Sequence, residues 1–156
     1  GSGTGTPETP AATPVAKPDP VRNAPKVLRA AEAGVGKLVA DVAFTDLVGK
    51  SGKLSDFKAA KLTVVAFTNT TCPLCKKYAP VLARTEKEYA AKGVAFLFVN
   101  PTATDKPDGS AFAGRYVHDT DGKLTAALGA NSTTEVVVLD AARTVVYRGA
   151  VDDQYG

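Results

Sequence analysis

The 156-residue chain contains no tryptophan, no methionine, one histidine and only two cysteines, and aromatics make up 7% of it. Two cysteines exclude a multi-disulfide scaffold and a four-thiolate zinc site on one chain. No apolar run approaches the ~20 residues a membrane helix needs, and no segment reads as a signal peptide. Charge of one sign is not in excess either. Nineteen Lys and Arg oppose sixteen Asp and Glu, a net +3 spread along the chain. Such a balance gives nucleic-acid or membrane-surface binding no compositional support. With 44% hydrophobic and 22% charged residues, the composition excludes a collagen-like or wholly disordered chain. A chain this long can bury roughly 70% of its unfolded surface, enough for one domain with a real core.

Six of the ten prolines fall in residues 1–25, with Gly, Ala and Thr between them. This stretch has no apolar face to bury and favours extended conformations, so residues 1–25 are expected to form a disordered Pro/Thr/Ala-rich linker. Its expected role is a tether without activity of its own. Residues 26–156 are expected to form one globular domain. Within it, Val27–Ala33 suits a short helix broken at Gly34. The stretch Leu38–Leu47 alternates loosely before GKSGK turns the chain, which predicts a hairpin. LTVVAF (Leu62–Phe67) and VAFLFV (Val94–Val99) read as buried strands. Between them Tyr78, Val81, Leu82, Thr85 and Tyr89 fall at helical spacing, so one helix is predicted over 73–92 and closed by Gly93. A loop without clear period follows over Asn100–Gly114. Beyond it come a short strand Arg115–His118, a helix Lys123–Leu128 capped by Gly129, and a hairpin of Glu135–Asp140 with Thr144–Arg148. A parallel pair extended by an antiparallel edge and covered by helices is an α/β fold.

The informative stretch is Thr71-Cys72-Pro73-Leu74-Cys75, where a buried strand ends and a helix begins. A sulfur at a helix N-terminus meets free N–H groups and the positive end of the dipole, which favour thiolate over thiol. Lys76 and Lys77 add positive charge one turn on. Two intervening residues let Cys75 reach Cys72 from inside the first turn. Pro73 suits that turn because it lacks an N–H that would be orphaned there. Two other uses of such a pair stand beside redox chemistry. A structural disulfide across so short a loop constrains the unfolded chain little. Half of a zinc site would need completion by His118 or by a second chain.

The segment VVAFTNTTCPLCKKYAPVLARTEKEYAAKGVAFLFVN resembles the core of the thioredoxin superfamily, and Pro80 matches the proline that kinks that family's active-site helix. The flanking DVAFTDLVGKSGKLSDF and HDTDGKLTAALGA…TTEVVVLD…VVYRGAVDDQYG resemble the redoxin, TlpA-like branch and bacterial exported redoxin-domain proteins. The resemblance spans about residues 35–156. It implies a thioredoxin-like fold: a central mixed sheet flanked by helices, an N-terminal hairpin extension, and here no C-terminal family helix. It also implies thiol–disulfide exchange, with Cys72 as the attacking and Cys75 as the resolving cysteine. Pro73, Leu74, Thr133 and Thr134 would then meet the substrate. Implied partners are disulfide- or dithiol-containing proteins, met outside the cytoplasm by a monomer. No cofactor or metal, nucleic acid or direct membrane insertion is called for.

Departures from the family pattern shape these expectations. Thr134 occupies the place of the family's cis-proline, and a cis bond to a non-proline costs ~3–4 kcal/mol, so a trans bond is expected. Ala66 stands where a buried acid is usual, and Tyr78 replaces a glutamate on the helix. Proton transfer to Cys75 would then need water or another residue. Val65 and Asn69 replace the proline and threonine of the peroxiredoxin motif, which argues against that peroxidase chemistry. His118 is read as a structural or surface residue, with a ligand role as the second reading. Asp152 and Asp153 read as a solvated turn. The Asn100–Gly114 loop replaces a helix of TlpA-like members, and it is open to a part in partner choice or to surface variation alone. Three functions follow: a thiol–disulfide oxidoreductase, a soft-metal (copper) carrier using Cys72 and Cys75 with or without His118, and a redoxin-shaped interaction module.

Overall fold

The structure, a computed structural model, describes residues 34–150. The linker expected over 1–25, the helix expected over Val27–Ala33 and the Asp152–Asp153 pair lie outside the described residues. Ten elements follow in order: β1 (Ala43–Thr45), β2 (Ser51–Lys53), a 3-10 turn (Leu54–Phe57), β3 (Leu62–Phe67), α1 (Pro73–Ala90), β4 (Val94–Asn100), β5 (Arg115–His118), α2 (Lys123–Leu128), β6 (Glu135–Asp140) and β7 (Val145–Ala150). The expected hairpin is β1–β2, though only three residues of each arm pair. Asp46 shapes its turn, accepting the Val48 and Lys50 amides at 3.1 and 2.9 Å. The 3-10 turn has no counterpart in the sequence reading, since four residues carry no readable period.

The main sheet has the order β5-β4-β3-β6-β7. β3 runs parallel to β4, and β4 parallel to β5. β6 is antiparallel to β3, and β7 to β6. The strands β3 and β4 read as continuous apolar runs because both of their faces are covered. Alternation sends Val65, Phe67, Leu97 and Val99 into one core, with Leu124 and Leu128 of α2 and with Phe44 and Leu54. The opposite side of the same strands, Ala66, Phe96 and Phe98, packs against Leu82 and Tyr78 of α1. Thus α1 and α2 lie on opposite faces. Pro80 sits inside α1, and Gly93 follows the helix with φ of +89° before the chain turns into β4.

The segment 101–114 is irregular, as its composition predicts, yet it is anchored along its length. Phe112 stacks on Phe98 at 4.0 Å between ring centroids. The buried carboxylate of Glu86 on α1 accepts the Ala113 amide at 2.9 Å and the Gly114 amide at 2.5 Å. A Cβ at Gly114 would lie 2.8 Å from both Glu86 Oε2 and the Phe96 carbonyl oxygen, so only glycine allows this approach. Nearer the sheet, Asp105 is only 7% exposed. It accepts hydrogen bonds from Thr70 and Asn100. Asn100, fully buried, also donates to Tyr116 Oη at 3.1 Å and accepts the Thr102 amide at 3.0 Å. Every polar atom of its carboxamide thereby has a partner, as a buried amide requires.

Two outcomes follow from this packing. Phe98→Ala removes a fully buried ring from under α1 and should cost about 3–5 kcal/mol, read as a fall in urea midpoint. Burial raises the Asp105 pKa, but the hydrogen bonds from Thr70 and Asn100 outweigh it and hold the group at about 2. A carboxylate depressed in the folded state stabilises fully above its unfolded value near 4 and loses that contribution as pH falls toward 2. Chemical denaturation of wild type and Asp105→Asn at pH 7 and pH 2.5 should show their stability difference, roughly 2 kcal/mol, shrinking at the acid end.

Candidate active site

The site forms at the C-terminal ends of the parallel strands, where open α/β sheets place their crevices. At the end of β3 the Thr68 amide still donates to the Val99 carbonyl at 2.9 Å. Between there and α1 the amides of Thr70, Thr71 and Cys72 are all taken by side chains. Asp105 Oδ2 accepts the Thr70 amide at 2.7 Å, while its Oδ1 accepts the Thr70 hydroxyl at 2.6 Å. Asn69 Oδ1 accepts the Thr71 and Cys72 amides at 3.2 and 2.8 Å. Asn69 Nδ2 donates to Thr102 Oγ1 at 3.2 Å, tying this turn to the segment after β4.

Cys72 is the N-cap of α1, with extended backbone (φ −69°, ψ 124°), and Pro73 is the first helical residue. The Cys72 carbonyl accepts the Lys76 amide at 3.0 Å. The Cys75 N–H hydrogen-bonds the Cys72 sulfur and outweighs partial burial. With the Cys75 thiol, the Thr133 hydroxyl and the Leu74 N–H, it holds Cys72 below the usual thiol range. Cys75, only 4% exposed, behaves oppositely, because burial pushes its thiol up. Its Sγ donates to the Thr133 carbonyl oxygen at 3.3 Å, and the two cysteines are not joined by a disulfide. An accessible acidified thiol beside a buried neutral one suits one cysteine to attack and the other to resolve.

The sequence-derived residues fall into two groups. Cys72, Pro73, Leu74, Cys75 and Thr133 come together, with Leu74 45% exposed beside the first cysteine. Thr134 is adjacent in the chain, but its hydroxyl and amide bond to Ser132 at 3.0 and 3.1 Å, within its own loop. Every peptide bond among the described residues is trans, the Thr133–Thr134 bond included. The loop holding Thr133 is anchored by Glu135, which accepts the Asn131 amide at 2.8 Å and pairs with Arg148. Arg148 also donates to the Leu128 and Gly129 carbonyls.

Ala66 is fully buried, and Tyr78 packs against the core beneath α1. The side chains and amides that act most strongly on Cys75 come from Thr133, Asn69 and Cys72, none of them a carboxylate. His118 Nε2 lies 2.8 Å from the Thr102 carbonyl oxygen. Among the described residues no three His, Cys, Asp or Glu side chains gather as a metal-holding group, so His118 does not join the cysteines in one. Two residues of the site escaped sequence reading. Asn69 was legible in principle, since an Asn shortly before a helix start is a capping signal. Asp105 lies 33 residues downstream of Cys72 in an aperiodic segment and carries no local signal.

The family model described as Redoxin matches residues 34–155. No curated protein matches the chain. Among solved structures, an uncharacterized conserved protein from Geobacillus kaustophilus is 27% identical with a TM-score of 0.71, covering 78% of this chain and 71% of its own. The thioredoxin domain of a thiol-disulfide oxidoreductase from Bacteroides vulgatus is 22% identical with a TM-score of 0.64, covering 78% and 92%. The peroxidoxin BcpB from Mycobacterium tuberculosis is 20% identical with a TM-score of 0.63, covering 76% and 86%. The last two share the thioredoxin-like fold at identities that speak for architecture alone. With its family model spanning most of the chain, and a helix-capping cysteine at the end of the central strand, this protein belongs to the Redoxin family.

Proposed function

We propose that the protein is a thiol–disulfide oxidoreductase acting on protein substrates through Cys72-Pro73-Leu74-Cys75. The observation that carries this reading is the asymmetry of the pair, with Cys72 partly exposed and acidified and Cys75 buried and raised. In reduction, the Cys72 thiolate attacks one sulfur of a substrate disulfide. A mixed disulfide forms, and the substrate's other sulfur leaves as a thiolate that takes a proton from solvent. Cys75 then loses its proton and attacks the Cys72 sulfur, so the substrate leaves as a dithiol carrying two electrons and Cys72–Cys75 becomes the disulfide. Run backwards, the same steps oxidise a dithiol, and the midpoint potential sets the direction. Exposed Leu74 offers the substrate an apolar contact, and the loop of Thr133 and Thr134 supplies the facing wall.

An extracytoplasmic, tethered monomer is the setting we infer. The Pro-rich composition of residues 1–25 and the lack of any cysteine beyond the pair support it, since spare thiols mispair under oxidising conditions. The copper-carrier reading would rest on Cys72 and Cys75, the His118 ring being hydrogen-bonded to the Thr102 carbonyl.

Cys72→Ser should abolish insulin disulfide reduction, whereas Cys75→Ser should accumulate a mixed disulfide visible on a non-reducing gel. Intact wild-type turnover in both variants would refute the assignment. A two-electron transition of the pair in graded thiol/disulfide buffers is expected. A midpoint at or below roughly −230 mV marks a reductant and one near −120 mV an oxidant. No reversible couple would end the oxidoreductase reading. Reduced wild type titrated with iodoacetamide should lose one thiol below the ordinary thiol pKa and the second only above it.

A further inference from the structure

We propose that Asp105 is a positioning residue for the Cys72 nucleophile, clamping the turn that presents its sulfur to the start of α1. This inference rests on the thiol-exchange reading above. Both Asp105 oxygens act as acceptors: Oδ2 takes the Thr70 amide at 2.7 Å and Asn100 Nδ2 at 2.7 Å, and Oδ1 takes the Thr70 hydroxyl at 2.6 Å. Thr70 is two residues before Cys72, in a turn that no strand holds. The Thr70 hydroxyl also lies 3.1 Å from the Lys106 carbonyl oxygen, a second acceptor for the same proton.

The clamp is rigid at its far end. Asn100 is fully buried at the end of β4 and bonded on both sides of its carboxamide, so Asp105 is referred to the sheet itself. An asparagine at 105 has one acceptor oxygen and would turn an NH2 toward one of these donors, breaking the arrangement without changing its size. Asp105 acts here by geometry. The groups that lower the Cys72 thiol most are the amides of Cys75 and Leu74, the Cys75 thiol and the Thr133 hydroxyl, all effective only if the sulfur stays at the helix start. Misplacement of a reacting group by ~1 Å is enough to cost up to about a hundredfold in rate.

Glu86 supplies the control, because it grips the other end of the same segment, at Ala113 and Gly114, about four helical turns along α1 from Cys72. The full chain would be made as wild type, Asp105→Asn, Thr70→Val, Thr70→Ser and Glu86→Gln. For each, the alkylation rate of Cys72 would be followed against pH, with Tm recorded in parallel. Asp105→Asn should slow alkylation at pH 7 about tenfold or more and move the pH profile upward. Thr70→Val should do so by a few-fold, and Thr70→Ser should keep the wild-type profile. Glu86→Gln should lower Tm and leave the profile in place. A profile unmoved in both Asp105→Asn and Thr70→Val overturns the proposal, and so does one that Glu86→Gln shifts equally. If Asp105→Asn fails to fold, the Thr70 pair decides. Because alkylation needs no turnover, a wild type inactive on insulin would sink the oxidoreductase reading and leave this test standing.

Discussion

A chain leaving the central strand of a mixed sheet must satisfy its next backbone amides without strand partners, and it must do so at the mouth of the crevice. Here the amides of Thr70, Thr71 and Cys72 are taken by two side chains, Asp105 and Asn69. The remaining features of the site depend on this solution. Cys72 becomes an N-cap without a capping side chain, so the free amides of the first turn face a sulfur. The same amides that would bond a serine or aspartate oxygen elsewhere stabilise a thiolate here.

Burial sets the second half of the asymmetry. Cys75 lies one turn into α1, on the side that meets the Thr133 carbonyl. Desolvation favours its neutral form and the thiol spends its proton on that carbonyl. The Thr133 loop is held by the Glu135–Arg148 pair, itself braced by the end of α2. Three separate parts of the chain therefore converge on two sulfurs: the turn after β3, the segment after β4, and the loop before β6. With Ala66 and Tyr78 in place of acids, the groups that act most strongly on Cys75 include no carboxylate.

The irregular segment 101–114 changes meaning once its contacts are known. Read by composition, it was open to a part in partner choice or to surface variation. In the structure it is a brace, joined to the Cys72 turn by Asp105, to α1 by Glu86 and to the core by Phe112. An aperiodic chain can be this well ordered when its polar groups find fixed partners.

Much of this protein was legible in its residues. The runs LTVVAF and VAFLFV declared strands covered on both faces, the helical spacing from Tyr78 to Tyr89 declared α1, and RYVH, KLTAAL and EVVVLD matched their elements. The cysteine pair at a strand-to-helix junction was equally legible as a candidate site, because periodicity and helix-end electrostatics are local properties. What tertiary structure alone decided is long-range. It placed the Thr133 carbonyl against Cys75, 58 residues away, and Asp105 against Thr70, 35 away. It also turned His118 toward Thr102 instead of the cysteines and kept Thr134 bonded within its own loop. Those pairings depend on sheet order and on which buried donor meets which acceptor, and neither is written in the spacing of residues along the chain.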